Sequence, residues 1–327
     1  MNAALFVLLL SVAGMKNAFA QLQVATLQHN NDVTAYYGSG ALAEAHDAAE
    51  SGDIITLSSG SFTAVNITKA ITLRGAGCVA DTVAGTVATI IVNECTLSES
   101  DTLGNHLNIE GIYFPNKVTY NDLTSPTFTR CNFNQLSDGW NPVMQDAQFV
   151  NCVFKDCSFD NAYNAVMVNC VAWHPTYVRS DRRLTIYNTI FGRMTVYATG
   201  LTAYNSIIIR DGGNAPSEGC IFSNCIGIGL EGFEPFGSAF TQDCISDTTY
   251  AAVFATYDGT FDFREAYELT DDAKAFETTD GTEVGIHGGA MPYNARPTYQ
   301  VLKTINVANR SNAEGKLNVE IEVLEEE

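Results

Sequence analysis

Four residues at matching places in successive repeats carry groups able to do chemistry: Asp156, His174, Arg193 and Arg210. Each lies five residues past the residue that leads a short repeated pair, so on stacked turns they form one vertical row. Lys155 and Trp173 adjoin the first two, and Asp211 adjoins the last. A carboxylate, an imidazole and guanidinium groups in line, with an aromatic ring alongside, suit a sugar chain whose rings stack while its hydroxyls hydrogen-bond. An Asp and a His within hydrogen-bond reach of a bound sugar also suit proton transfer. The same place is a strand end, where charged side chains simply face water. The next two members of the row, Gly229 and Thr248, carry no comparable group.

The elements that must position this row are written in the repeat itself. The pairs are Asn151-Cys152, Asn169-Cys170, Asn188-Thr189, Asn205-Ser206, Asn224-Cys225 and Asp243-Cys244, and their leads are 18, 19, 17, 19 and 19 residues apart. Arg130-Cys131 extends the series backward by 21 residues. A period near 20 with short β-type segments and no helical run between them is the signature of a solenoid. Each turn of a solenoid must bend sharply, and Asn enters the left-handed backbone region at lower cost than other residues with a side chain. Its amide is expected to bond to the equivalent amides above and below. Two positions before the leads stand Phe128, Phe149, Met167, Ile186, Ala203 and Phe222, which should face inward. The small residue after each lead lets the turns nest, with Cys serving as a small hydrophobe.

Composition bounds the setting. The chain has 37 acidic and 17 basic residues and a formal net charge of −20, which argues against nucleic acid as a partner. Ala3 to Val12 is almost wholly apolar, and Ala18-Phe19-Ala20 before Gln21 has the form of a signal-peptidase site, so residues 1–20 read as a signal peptide. One departure is that no Lys or Arg precedes the apolar run. The run is also well short of the roughly 20 residues a spanning helix needs, so no membrane span is expected. The reading places the protein outside the cytoplasm: secreted, periplasmic or cell-surface. Nine cysteines would ordinarily suggest disulfides, but most lie on the repeat column, where neighbouring Cβ vectors run parallel rather than toward each other. They read as free, buried packing residues, and no Cys-x-x-Cys pair points to a metal.

Before the repeats, Ala41 to Glu50 (ALAEAHDAAE) is rich in helix formers and stopped by Gly52, as a short helix covering the open end of a coil would be. Gly52-Asp53-Ile54-Ile55-Thr56-Leu57, Gly60-Ser61-Phe62 and Ile67-Thr68-Lys69-Ala70-Ile71-Thr72-Leu73-Arg74-Gly75-Ala76-Gly77 follow. Later come Phe261-Asp262-Phe263-Arg264 and Asp280-Gly281-Thr282-Glu283-Val284-Gly285-Ile286-His287-Gly288-Gly289. These resemble the opening turns and the closing segment of right-handed parallel β-helix proteins of the pectate-lyase-like superfamily, in an uncharacterised exported bacterial branch. The resemblance covers roughly residues 40 to 290 and implies an all-β fold, a single right-handed parallel β-helix with an N-terminal helical cap. The expected organisation is a signal peptide at 1–20, the β-helix with its cap at 21–290, and a strand tail at 291–327. In the tail, Ile305 and Val307, then Leu317, Val319, Ile321 and Val323, alternate with polar residues around a turn at Asn312 to Lys316, the pattern of a β-hairpin.

Members of that superfamily include lyases, hydrolases and adhesins, so the resemblance speaks for fold and not for activity. Pectate lyases use an acidic calcium cluster with a basic residue, and the related hydrolases use paired aspartates on neighbouring turns; neither signature is evident here. Asp271-Asp272 lies in the closing segment, His287 belongs to the closing motif, and Asp181-Arg182-Arg183 reads as a solvated turn. The expectation is a non-catalytic exported scaffold that binds a polysaccharide or cell-surface component along the row Asp156, Trp173, His174, Arg193, Arg210 and Asp211. The alternative is a polysaccharide lyase or glycoside hydrolase with a divergent site. No cofactor is called for, and calcium enters only with the lyase alternative.

Overall fold

The computed structural model describes residues 23–80, 87–99, 104–139, 142–176, 182–192, 200–210, 219–230, 240–294, 302–307 and 319–323. The chain coils into a parallel β-solenoid of about eight turns. One wall is a twelve-stranded sheet, a second is an eleven-stranded sheet, and a short three-stranded sheet forms the third side over part of the coil. Within the first wall, Thr127–Thr129, Gln148–Val150, Ala165–Val168, Leu184–Tyr187, Leu201–Tyr204 and Ile221–Ser223 lie parallel in that order.

The repeated pairs form the corner between the two long walls. Arg130, Asn151, Asn169, Asn188, Asn205, Asn224 and Asp243 all have φ between 46° and 54°. That is the left-handed region, which explains why Asn dominates the column. Phe128, Phe149, Met167, Ile186, Ala203 and Phe222 stand directly over one another and are all fully buried. Stacking at the strand spacing brings equal rings face to face: Phe128 and Phe149 lie 5.0 Å apart at 10°. On the second wall Phe133 stacks between Phe114 and Phe154 at 5.1 Å on each side.

The residue after each lead does more than fill space. Sγ of Cys131, Cys152 and Cys170, Oγ1 of Thr189, Oγ of Ser206 and Sγ of Cys225 and Cys244 each donate to the carbonyl two residues back. Several also accept a backbone N–H from the preceding turn: Cys152 N to Cys170 Sγ, Cys170 N to Thr189 Oγ1, Thr189 N to Ser206 Oγ and Cys225 N to Cys244 Sγ. A γ heteroatom on a short side chain is what Cys, Thr and Ser share, and it satisfies backbone groups that the corner takes out of the ladder. No disulfide joins any of the nine cysteines.

At the N-terminal end, strand β1 (Val24–His29) pairs antiparallel with β2 (Asp32–Tyr37) on one side and with β3 (Ile54–Leu57) on the other. The expected helix forms at Ala41–Ala48, buries Ala41, Leu42, Ala45 and His46, and touches β1, β2 and β3. Its open C-terminal carbonyls are met by Lys69, whose Nζ donates to the oxygens of His46, Asp47 and Ala49. The tail strands Leu302–Val307 and Val319–Val323 pair antiparallel, with Ile305 opposite Ile321 and Val307 opposite Val319, as the alternation anticipates. Among the described residues, no helix is long and apolar enough to cross a membrane.

Candidate functional site

After the Asn corner each turn of the second wall runs two residues, bends, and continues. The bend carries the row. Lys117, Gln135, Asp156 and His174 are direct register partners on four successive turns. His174 Nδ1 lies 3.1 Å from Asp156 Oδ1, with side chains 29 % and 47 % exposed, so the carboxylate fixes the imidazole's orientation from the solvent side. Inward neighbours Val118, Leu136 and Cys157 anchor these strands in the core.

An open groove of ≈ 410 Å³ lies at the middle of the row, lined by Gln135 and Asp156 of the row and by Ser137, Asp138, Ser158 and Asp160 among others. Asn161 Nδ2 donates to Asp138 Oδ2 at 3.0 Å and steadies one wall. Beneath it, the buried Tyr120 hydroxyl donates to the Ser158 carbonyl, and burial pushes its phenol up, so it remains a hydrogen-bond donor. The groove offers carboxylates, hydroxyls and amides to a ligand. Among the described residues, no three of His, Cys, Asp and Glu come together in a set that could hold a metal ion.

Counting from the sequence thus finds Asp156 and His174, and the structure brings them into contact. Arg210 lies just past Ile207–Ile209, half-buried, its N–H donating to the Ile228 carbonyl. Arg193 and Asp211 fall outside the described residues. Trp173 needs correction as an exposed ring beside the row. It is 2 % exposed, edge-on to Tyr257 at 5.8 Å and tilted against Phe261 at 5.9 Å, so its faces are taken by protein. Gln135 was reachable by the same count from Arg130 and was missed only because the count stopped at Asn151. Lys117 was not reachable, because a one-residue irregularity between Phe133 and Gln135 shifts the register there.

What covers Trp173 is the closing segment, which folds back along the flank of the second wall. Its Val253, Phe254, Tyr257, Tyr267, Val284 and Ile286 form a second core with the wall's outward Val153, Val171, Trp173, Ile190, Ile207 and Ile226. The expected amide ladder along the Asn column yields to this segment. Asn169 Nδ2 donates to the carbonyls of Ile286 and Gly288, Asn188 Nδ2 to that of Glu283, and Asn224 Nδ2 to that of Glu277. Asn205 Oδ1 accepts from the N–H and hydroxyl of Thr279. Gly288 has to be glycine, since a Cβ there would meet the Glu283 carbonyl and the Asn188 amide.

Neither a family model, nor a curated protein, nor a solved structure matches the chain.

Proposed function

We propose that this chain is an exported scaffold of the right-handed, pectate-lyase-like type, which holds a polysaccharide or cell-surface glycan along the groove without cleaving it. The observation that carries the reading is the four-turn row Lys117, Gln135, Asp156 and His174, hydrogen-bonding groups repeated at the strand spacing of about 4.8 Å, whose two middle members line the groove. A row along the coil axis suits an extended polymer better than a compact metabolite, and acidic walls favour a neutral or mixed glycan over a polyanion. The loss of Trp173 as a stacking platform shifts recognition toward hydrogen bonds. A right-handed crossover agrees with the strong preference of parallel β connections. Export rests on the apolar run and the Ala18-Phe19-Ala20 site.

The test is retention of the full chain on a panel of polysaccharides. Asp156→Asn, His174→Ala and Gln135→Ala should each weaken retention about two- to tenfold, the effect of losing one hydrogen bond among several. Wild type should release neither unsaturated products nor new reducing ends. The second reading, a polysaccharide lyase or glycoside hydrolase, draws on the Asp156–His174 contact, an arrangement that can prepare an imidazole for proton transfer. The calcium of a pectate-lyase chemistry finds no ligand set among the described residues. Product release by wild type that disappears in His174→Ala would replace the scaffold reading with this one.

A further inference from the structure

Among the described residues, no strand pairs with the outer edge of β2 at one end of the first wall. β2 is the terminal strand of the twelve-stranded sheet and pairs with β1 through all six residues without a bulge. Such an edge presents a row of backbone donors and acceptors, and proteins usually blunt it with Lys, Pro, a bulge or a covering element. β2 reads Asp-Val-Thr-Ala-Tyr-Tyr and contains neither Lys nor Pro. Thr34 and Tyr36 stand opposite the buried Leu27 and Ala25, so Val33, Ala35 and Tyr37 occupy the outer face. Val33 is 66 % and Tyr37 61 % exposed, the two highest values among the exposed large apolar side chains of the described residues. Among the described residues, the most exposed large apolar groups therefore sit on a strand that ends a sheet.

We infer that β2 pairs antiparallel with β2 of a second copy of this chain, joining the two sheets across a two-fold axis at Ala35. An antiparallel pair related by such an axis is self-complementary, because each residue meets its own symmetry partner's set. With Ala35 on the axis, a small side chain faces itself, Val33 lies opposite Tyr37 of the second copy, and Thr34 lies opposite Tyr36. Apolar and aromatic groups then meet directly across strands, a favourable cross-strand pairing. The charges agree. Asp32 is the only charged residue of β2, and the axis places the two copies at opposite ends of the paired stretch, about 20 Å apart. That separation exceeds the screening length of about 8 Å at physiological salt, so the two Asp32 carboxylates are largely screened from each other, while the chain's net negative charge opposes docking and does so less as salt rises. One strand per copy is a small contact, and the association is concentration-dependent.

Sedimentation of the full chain over a concentration series, with thermal melts as a control for folding, tests this. Wild type should show a monomer–dimer equilibrium that moves toward dimer with added salt, and Val33→Lys combined with Tyr37→Lys should abolish the dimer without moving the melt. Ala35→Cys gives a second readout that does not depend on that variant folding. Its Cα atoms would lie about 4.5 to 5.5 Å apart across the axis, within disulfide range, so mild oxidation should give a cross-linked dimer that wild type and Val33→Cys do not. The inference is overturned if the chain stays monomeric and Ala35→Cys does not cross-link, which includes the case in which residues 1–22 cover the edge. It is equally overturned if a dimer persists in the double lysine variant, since another surface would then hold it.

Discussion

At the scale of single residues, the corner column shows how one position can serve backbone satisfaction and packing together. Cys131, Cys152 and Cys225 are fully buried, and burial pushes their thiols well above the usual range. Burial also raises Cys95, to about 12. Cys244, on the last turn, differs: it is only half-buried, and hydrogen bonding with Cys225 holds its thiol below the usual range. The thiolate is the reactive form and the other eight cysteines are buried, so Cys244 should stand apart from them. Alkylation of native protein near neutral pH should modify Cys244 first and leave the other eight thiols untouched, and unfolding without reductant should release all nine. Cys244→Ser should remove the fast phase. Fewer than nine thiols after unfolding would mean disulfides that the free-thiol reading excludes.

At the scale of elements, the N-terminal helix is held by a small polar junction as well as by its buried Ala41, Leu42 and Ala45. Thr68 N donates to His46 Nε2 at 3.2 Å, which requires that nitrogen to be unprotonated. Burial, together with the nearby Lys69 ammonium, lowers the His46 pKa. The folded state thus favours neutral His46, while the unfolded chain titrates near pH 6.5. The stabilisation is present above about pH 6.5 and is lost as pH falls through that value toward the lowered folded pKa. Thermal melts from about pH 7.5 to about pH 5 should show a fall in stability that His46→Gln reduces. An identical pH profile in the variant would remove this junction as a source of the pH response.

At the scale of the whole molecule, two cores share one wall. The inner core fills the coil, and the outer one lies between the second wall and the closing segment. Phe149→Ala opens a void in a continuous stack and should cost about 3–5 kcal/mol in denaturant unfolding. Trp173→Ala should cost about as much although its residue lies outside the coil, because Tyr257 and Phe261 pack on it. A Trp173→Ala protein of wild-type stability that lost glycan retention would reinstate Trp173 as a ligand-facing ring and contradict its burial.

The parts governed by local repetition are legible in the residues alone. Left-handed corners select Asn and its substitutes wherever the period places them, the inward column follows from strand alternation, and the tail hairpin follows from its own alternation. Asp156 and His174 could be paired by counting because every turn between their leads has the same register. Tertiary structure decided what depends on a distant segment. The Asn amides had a choice between their own column and the closing segment, and only packing that segment along the flank settled it. The signal was present in Val153, Val171, Ile190, Ile207 and Ile226, an apolar column two residues past each lead, on the side that alternation turns outward. An outward apolar column implies a cover, but its sequence does not say which segment supplies it. Trp173 followed the same logic: its type suggested a sugar platform, and a segment some 80 residues away made it core, since burial depends on what lies across the surface and not on the residue's own strand.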